Sequence, residues 1–190
     1  MKKILFAVLF LFTLNVTSAQ QENSKDESKS ETLRYLKKDG TCFMKEFYDL
    51  GKVKGVECQV LIVTDVVEGS KIGCLRLITE YVSSVTSDTY IGTLDYSEID
   101  ACVKSLEYIK STIQSQPSIY TEIEYKTNDG IEIGAYYNEK GGLSAVKGWR
   151  AYVYTKSYTS RSAEYFDASN VDALIVILKN AKTVIAEKLK

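Results

Sequence analysis

The chain predicts an α+β fold built from two ββββα units, and three observations carry that prediction. The first is an internal repeat. Residues 95–113 read DYSEIDACVKSLEYIKSTI and residues 167–185 read DASNVDALIVILKNAKTVI, so a shift of 167 − 95 = 72 superposes Asp95 on Asp167, Ser97 on Ser169, Asp100 on Asp172, Ala101 on Ala173, Lys110 on Lys182 and Ile113 on Ile185. The second is that both segments are amphipathic at helical spacing, and the third is that strand-like runs broken by turn signals precede each of them.

The first nineteen residues stand apart from the repeats. Met1-Lys2-Lys3 leads into an apolar run over 4–16 and then Thr17-Ser18-Ala19-Gln20. A charged start, a short apolar middle and a small-residue site make a secretory signal peptide, too short for a spanning helix of roughly 20 apolar residues. No cysteine lies at the cleavage point, so the expectation is an exported, periplasmic or extracellular protein without a lipid anchor. Residues 20–40 are polar and charged and read as a tether, with a short ordered piece at 33–36. Residues 41–190 form one domain of two repeats, 41–116 and 117–190.

In the first repeat, strands are expected over 43–50, 56–63, 72–82 and 89–94, with Glu68-Gly69-Ser70 as a turn. In the second they are expected over 119–127, 131–137, 149–158 and 163–166, with Asn128-Asp129-Gly130 and residues 139–142 turning the chain. Gly55-Val56-Glu57 matches Gly130-Ile131-Glu132 at a shift of 75, which puts a three-residue gap in a connection between this strand and the helix. The helices expose the stripes Ile99, Cys102, Val103, Leu106, Ile109, Ile113 and Val171, Leu174, Ile175, Leu178, Ala181, Ile185, so each covers one antiparallel sheet. Ser97 and Ser169 read as N-caps, with Asp100 and Asp172 three residues on. Pro117, the single proline, marks the boundary between the repeats.

Composition excludes several chemistries. The chain has no histidine, which removes histidine-based triads, histidine zinc sites and histidine pH switches. A net charge of −1 provides no global attraction for nucleic acid or an anionic membrane. No catalytic residue, metal site or cofactor is assigned. The repeat sorts the cysteines: Cys58 and Cys102 fall opposite Ile133 and Leu174 and read as core, whereas Cys42 and Cys74 begin strands and read as exposed thiols. Two strand spacings, roughly 9.5 Å, would separate Cys42 from Cys74 in a meander, beyond the 7 Å or so of a disulfide; the disulfide state stays open.

The face to watch is the third strand of the second repeat. Period two aligns Arg150, Tyr152, Tyr154, Lys156 and Tyr158 outward as an aromatic-basic ladder, with Trp149, Ala151 and Val153 inward. Rings and guanidinium groups stack on flat ligands, and these five residues are the candidate ligand-binding set. Tyrosine also stabilises a wet sheet face by cross-strand pairing alone. Arg76 is the expected counterpart of Arg150. Glu122 and Glu124 share a strand face at roughly 6 to 7 Å, a spacing glycosidases use, beside Tyr120 and Lys126.

Two ββββα units in one chain resemble the tandem repeats of the Whirly and PUR single-stranded nucleic-acid binders, with no family motif matched and no binding residue carried over. The signal, tether and tyrosine-rich domain also resemble uncharacterised exported proteins of Bacteroidota, which implies an envelope or secreted location. The reading is an exported, non-catalytic binding or interaction module for a glycan, peptide or partner protein. The alternatives are a carboxylate-based hydrolase at Glu122 and Glu124, or a purely structural envelope protein that dimerises through its sheet edges.

Overall fold

A computed structural model describes residues 29–140 and 147–190. The signal segment, residues 20–28 of the tether and part of the expected turn at 139–142 lie outside the described residues. Strands β1 (Phe43–Val53), β2 (Val56–Asp65), β3 (Lys71–Val82) and β4 (Ser87–Asp95) form one antiparallel meander, followed by helix α2 (Ile99–Thr112). Strands β5 (Thr121–Lys126), β6 (Glu132–Asn138), β7 (Gly148–Tyr154) and β8 (Ala163–Asp167) form a second meander, followed by α3 (Val171–Lys188). A short α1 (Glu31–Tyr35) precedes the first sheet. The α+β class and the doubled ββββα order are therefore as the repeat predicts.

The register resolves the three-residue gap into two changes. Gln59 faces Arg76 and Arg76 faces Thr93, while Gly134 faces Tyr152 and Tyr152 faces Tyr165. The β6–β7 connection is one residue longer than its counterpart (134 to 152 against 59 to 76), and the β7–β8 connection is four shorter (152 to 165 against 76 to 93). Arg76 thus corresponds to Tyr152, and Cys74 to Arg150, which corrects the pairing of Arg76 with Arg150.

Each helix crosses to the other repeat. The apolar stripe of α3 lies on β1, β2 and β3, and α2 lies on β5 and β6. Both stripes are buried at the positions expected from their spacing except the half-buried Ile113, and the two halves share one continuous apolar core. Gly73 on β3 shows how closely α3 is seated: a Cβ there would come within 2.6 Å of Ile185 Cγ2. Exchange of helices makes neither repeat a closed unit, because the helix that packs on the inner face of each sheet is the other repeat's.

The exchange is close to twofold symmetric, and ion pairs trace the axis. Lys182 binds Asp100, and its equivalent Lys110 binds Asp172 at 2.7 Å. Glu107 meets its own equivalent, Lys179, at 2.8 Å. The repeated aspartates are therefore links between antiparallel helices rather than helix caps. The hairpin tips reciprocate too. Asp129 accepts the Thr93 N–H of β4 at 2.9 Å, and the β1–β2 tip at Gly55 abuts Glu164 of β8. At this seam the Thr79 and Thr155 hydroxyls hydrogen-bond at 2.8 Å in the buried interior.

Ser97 and Ser169 do not cap the helices. Each sits inside a 3-10 turn, Tyr96–Glu98 or Ala168–Asn170, and the extended residue before that turn is Asp95 or Asp167. Asp167 accepts the Ser169 N–H at 3.0 Å. Asp95 closes a capping box with Glu98, which accepts the Asp95 N–H at 3.2 Å, and also turns to α1: its carboxylate accepts from Ser30 Oγ at 3.0 Å, the Glu31 N–H at 2.7 Å and the Thr32 N–H at 3.1 Å. The ordered piece expected at 33–36 is thereby a helix pinned over the outer face of the first sheet. Tyr35 and Leu36 pack there with Phe43, Leu61, Val63, Ile72 and Cys74.

That cover corrects the reading of Cys74 as an exposed thiol: it is buried, like Cys58 and Cys102, and Cys42 alone of the four is exposed. All four thiols are free. Burial pushes the three interior thiols up to about 12.

Candidate functional site

The outer face of the second sheet is assembled from rows of residues directly opposite one another across four strands. One row is Glu122, Tyr136, Arg150 and Asp167; the next is Glu124, Gly134, Tyr152 and Tyr165; the third is Lys126, Glu132, Tyr154 and Ala163. Opposed residues in antiparallel strands project to the same side, so alternation alone places these groups together. Tyr120, just before β5, completes the group.

Five tyrosines make one ring cluster. Tyr120 stacks on Tyr136 at a centroid distance of 6.2 Å, and Tyr136 meets Tyr152 and Tyr165 at 6.3 Å each. Tyr152 lies edge-on to Tyr154 at 5.5 Å, and the Tyr154 and Tyr165 hydroxyls touch. These separations lie in the range of favourable aromatic pairs. With Glu122 the five rings line a cavity of about 320 Å³ that opens to solvent. Tyr120 and Tyr165, at 58% and 47% exposure, form its rim, and Tyr152, at 2%, its floor.

Gly134 is what lets the floor exist. A Cβ there would come within 2.6 Å of the Tyr152 hydroxyl, so the phenol lies across the bare backbone of β6 and reaches β5. There it touches Glu122 at 2.7 Å and Glu124 at 3.0 Å. Glu122 also accepts from the Tyr120 hydroxyl at 3.0 Å. Burial and then the two carboxylate contacts hold the Tyr152 phenol far above its ordinary acidity range. Burial, followed by a carboxylate neighbour for Tyr120 and the Tyr154 hydroxyl for Tyr165, raises those two to about 12.

The expected ladder is only half present on this face. Arg150, Tyr152 and Tyr154 share it, but Tyr152 is buried in the ring cluster rather than displayed. Strand β7 ends at Tyr154, short of the expected 158, and the chain turns there. Lys156 consequently points to Asp129 at 3.4 Å, and Tyr158 adopts φ 60 with 96% exposure, its ring beneath Lys126. In their place come Tyr120, Glu122, Glu124, Tyr136 and Tyr165 from the three neighbouring strands. Period two places each of these on a definite side of its own strand. Which strands adjoin, and in what register, is the information the sequence withholds. Comparison with protein-family models, curated proteins and solved structures finds no match to this chain.

The other candidates are less organised. A wider hollow of about 650 Å³ lies beside residues 113–116, Trp149 and Asp167, where Trp149 donates to the Ser115 carbonyl at 2.8 Å. Among the described residues no cluster of cysteines and carboxylates is arranged to hold a metal ion, and no helix is long and apolar enough to cross a membrane. Asp129, in the hairpin turn between β5 and β6, is engaged by Thr93 and Lys156.

Proposed function

We propose that the chain is an exported, non-catalytic binding module whose contact surface is the tyrosine face of the second sheet. The observation that carries this reading is the five-ring cavity itself, with two rings at its rim and a positioned polar floor. Ligand sites combine apolar walls with a few fixed polar groups, which is the composition found here. Export rests on the apolar segment at 4–16 and its flanks, and it places the ligand among envelope or extracellular glycans, peptides and proteins.

Glu122 and Glu124 lend no support to a hydrolase. Both are exposed and both accept from the Tyr152 hydroxyl, so they share one donor on one side of it instead of flanking a space where a substrate and a water would lie between them. The test uses Tyr120→Ala and Tyr165→Ala, because these rings are at the rim and their loss leaves the core intact; removing Tyr152 would collapse the floor. Glycan and peptide arrays probed with the full chain should show a ligand whose signal both variants abolish. Retained signal in both variants would remove the face from consideration.

A further inference from the structure

The geometry points to a ligand that presents an organic ammonium group, either a small amine or a lysine side chain, to the tyrosine cavity. This rests on the reading of that face as a binding surface and specifies what it recognises.

The cavity is electronegative in two independent ways. Its walls are phenol rings, whose faces carry the negative part of the aromatic quadrupole and attract cations. Its β5 side holds Glu122, and Glu124 lies behind the floor, both carboxylates accepting from the Tyr152 hydroxyl. The partners of these carboxylates are neutral phenol hydroxyls, Tyr152 for both and Tyr120 for Glu122, and neither carboxylate forms an ion pair with a described residue. Of the nearest cations in register, Lys126 binds Glu132 at 2.6 Å and covers Tyr158, and Arg150 stands two strands away from β5, between Tyr136 and Asp167, where its charge acts on Asp167.

A ligand with an ammonium head therefore gains both ring contacts and a counter-charge, whereas a phosphate, sulfate or carboxylate would meet one carboxylate in the wall and a second behind the floor. A neutral sugar could stack on the rings but would make no use of the charge. The open rim admits a head group carried on a chain, so a free amine and a lysine side chain share the same chemistry.

Choline and its uncharged isostere 3,3-dimethylbutan-1-ol separate charge from shape. Titrated into the full chain and followed by the NMR signals of the tyrosine rings, choline should shift Tyr120, Tyr136 and Tyr165. The isostere should bind about tenfold more weakly, the difference a partly desolvated cation–π contact makes. Nα-acetyl-lysine amide run in parallel distinguishes a peptide source, if it binds more tightly than choline, from a small amine, if it binds less. The double variant Glu122→Gln, Glu124→Gln keeps the acceptors for Tyr152 and should bring choline down to the level of the isostere. Equal affinity for the two isosteres, or an unchanged preference in the double variant, overturns the inference. If neutral oligosaccharides shift these rings while every ammonium probe fails, the ammonium assignment falls and the binding face stands. If no probe of either kind shifts them, both fall.

Discussion

The outer faces of the two sheets are built from equivalent positions and end in opposite conditions. Phe47, Leu61, Cys74 and Asp95 form a row across the first sheet, and the matching row of the second is Glu122, Tyr136, Arg150 and Asp167. The first row has apolar side chains at its centre, and leaving Leu61 in water would forgo roughly 1.5–3 kcal/mol. It is closed by α1. The second row is polar or charged apart from the Tyr136 ring, and the tyrosines around it end in hydroxyls that bond to one another and to carboxylates, so this face is stable in water and needs no lid. A five-residue helix has no stability alone. What holds α1 is the apolar patch beneath it and Asp95 at its start; the other half has polar groups in place of the patch, and its equivalent Asp167 binds the Ser169 N–H.

The sharpest way to break this comparison is to substitute the two equivalent aspartates. Asp95→Ala strands the buried Ser30 hydroxyl and the Glu31 and Thr32 N–H groups, and should cost about 3 kcal/mol or more in urea unfolding. Asp167→Ala removes an exposed cap and should cost about 1 kcal/mol. Hydrogen exchange at residues 30–36 should rise in the first variant alone. Similar costs for the two would mean that α1 is not held as described.

The inner faces differ in a related way. Gly73 corresponds to Trp149, so α3 sits deep on the first sheet, whereas on the second the Trp149 ring meets the chain just past α2 at Ser115. Gly73→Ala places a methyl against Ile185 and Ile62 and should cost about 1–3 kcal/mol by overpacking. The pair Gly73→Ala, Ile62→Val removes the Ile62 Cδ1 that the new methyl would meet at 2.9 Å and should recover part of that loss in a double-mutant cycle.

Alkaline titration reads the tyrosine face. Tyr120 and Tyr165 ionise near 12 in the folded chain against 10.0 ordinarily, and Tyr152 higher still. A group that holds its proton more tightly when folded stabilises the fold below its unfolded pKa, and that contribution is lost as pH rises. The share from this face should therefore be intact below pH 10 and disappear as pH climbs through 12. Ultraviolet phenolate absorbance should show a late-titrating class, and thermal unfolding should show a smaller alkaline loss in Tyr165→Phe. An unchanged profile in that variant would place Tyr165 outside the coupled cluster.

How much of this was legible in the chain depends on whether a feature is local. The helical stripes follow from spacing within one segment, and every predicted stripe position except Ile113, which is half-buried, is fully buried. Strand alternation rightly separated Arg150, Tyr152 and Tyr154 from Ala151 and Val153. Where β7 stops was not legible, because Thr155 turns inward to meet Thr79 from the other repeat, a contact 76 residues away in sequence. The role of Ser30 and Thr32 was hidden for the same reason. Their partner Asp95 is more than 60 residues on, and nothing in a polar stretch announces which of its residues will be pinned. The ring cavity lies between these cases: each member was visible on its strand, and only the register joined them.

The smallest expected effect tests the symmetry on which all these comparisons depend. Glu107 and Lys179 occupy the same position in the two repeats and face each other, so the pseudo-twofold axis passes close to their contact. On such an axis the two sites are interchangeable, and exchanging the residues should recreate the pair. Glu107→Lys alone sets two lysines together, and Lys179→Glu alone two glutamates; each should cost a few tenths of a kcal/mol to about 1 kcal/mol, as exposed pairs do. The double swap should return to within about 0.3 kcal/mol of the original, and added salt should shrink the single-variant costs by screening. Lys182 with Asp100 and Lys110 with Asp172 provide the contrast. Each of those pairs joins unlike positions, so reversing one leaves the other untouched and the two reversals should add independently. A double swap at 107 and 179 that fails to recover would show that the surroundings of the two sites, and hence the two halves, differ at the axis itself.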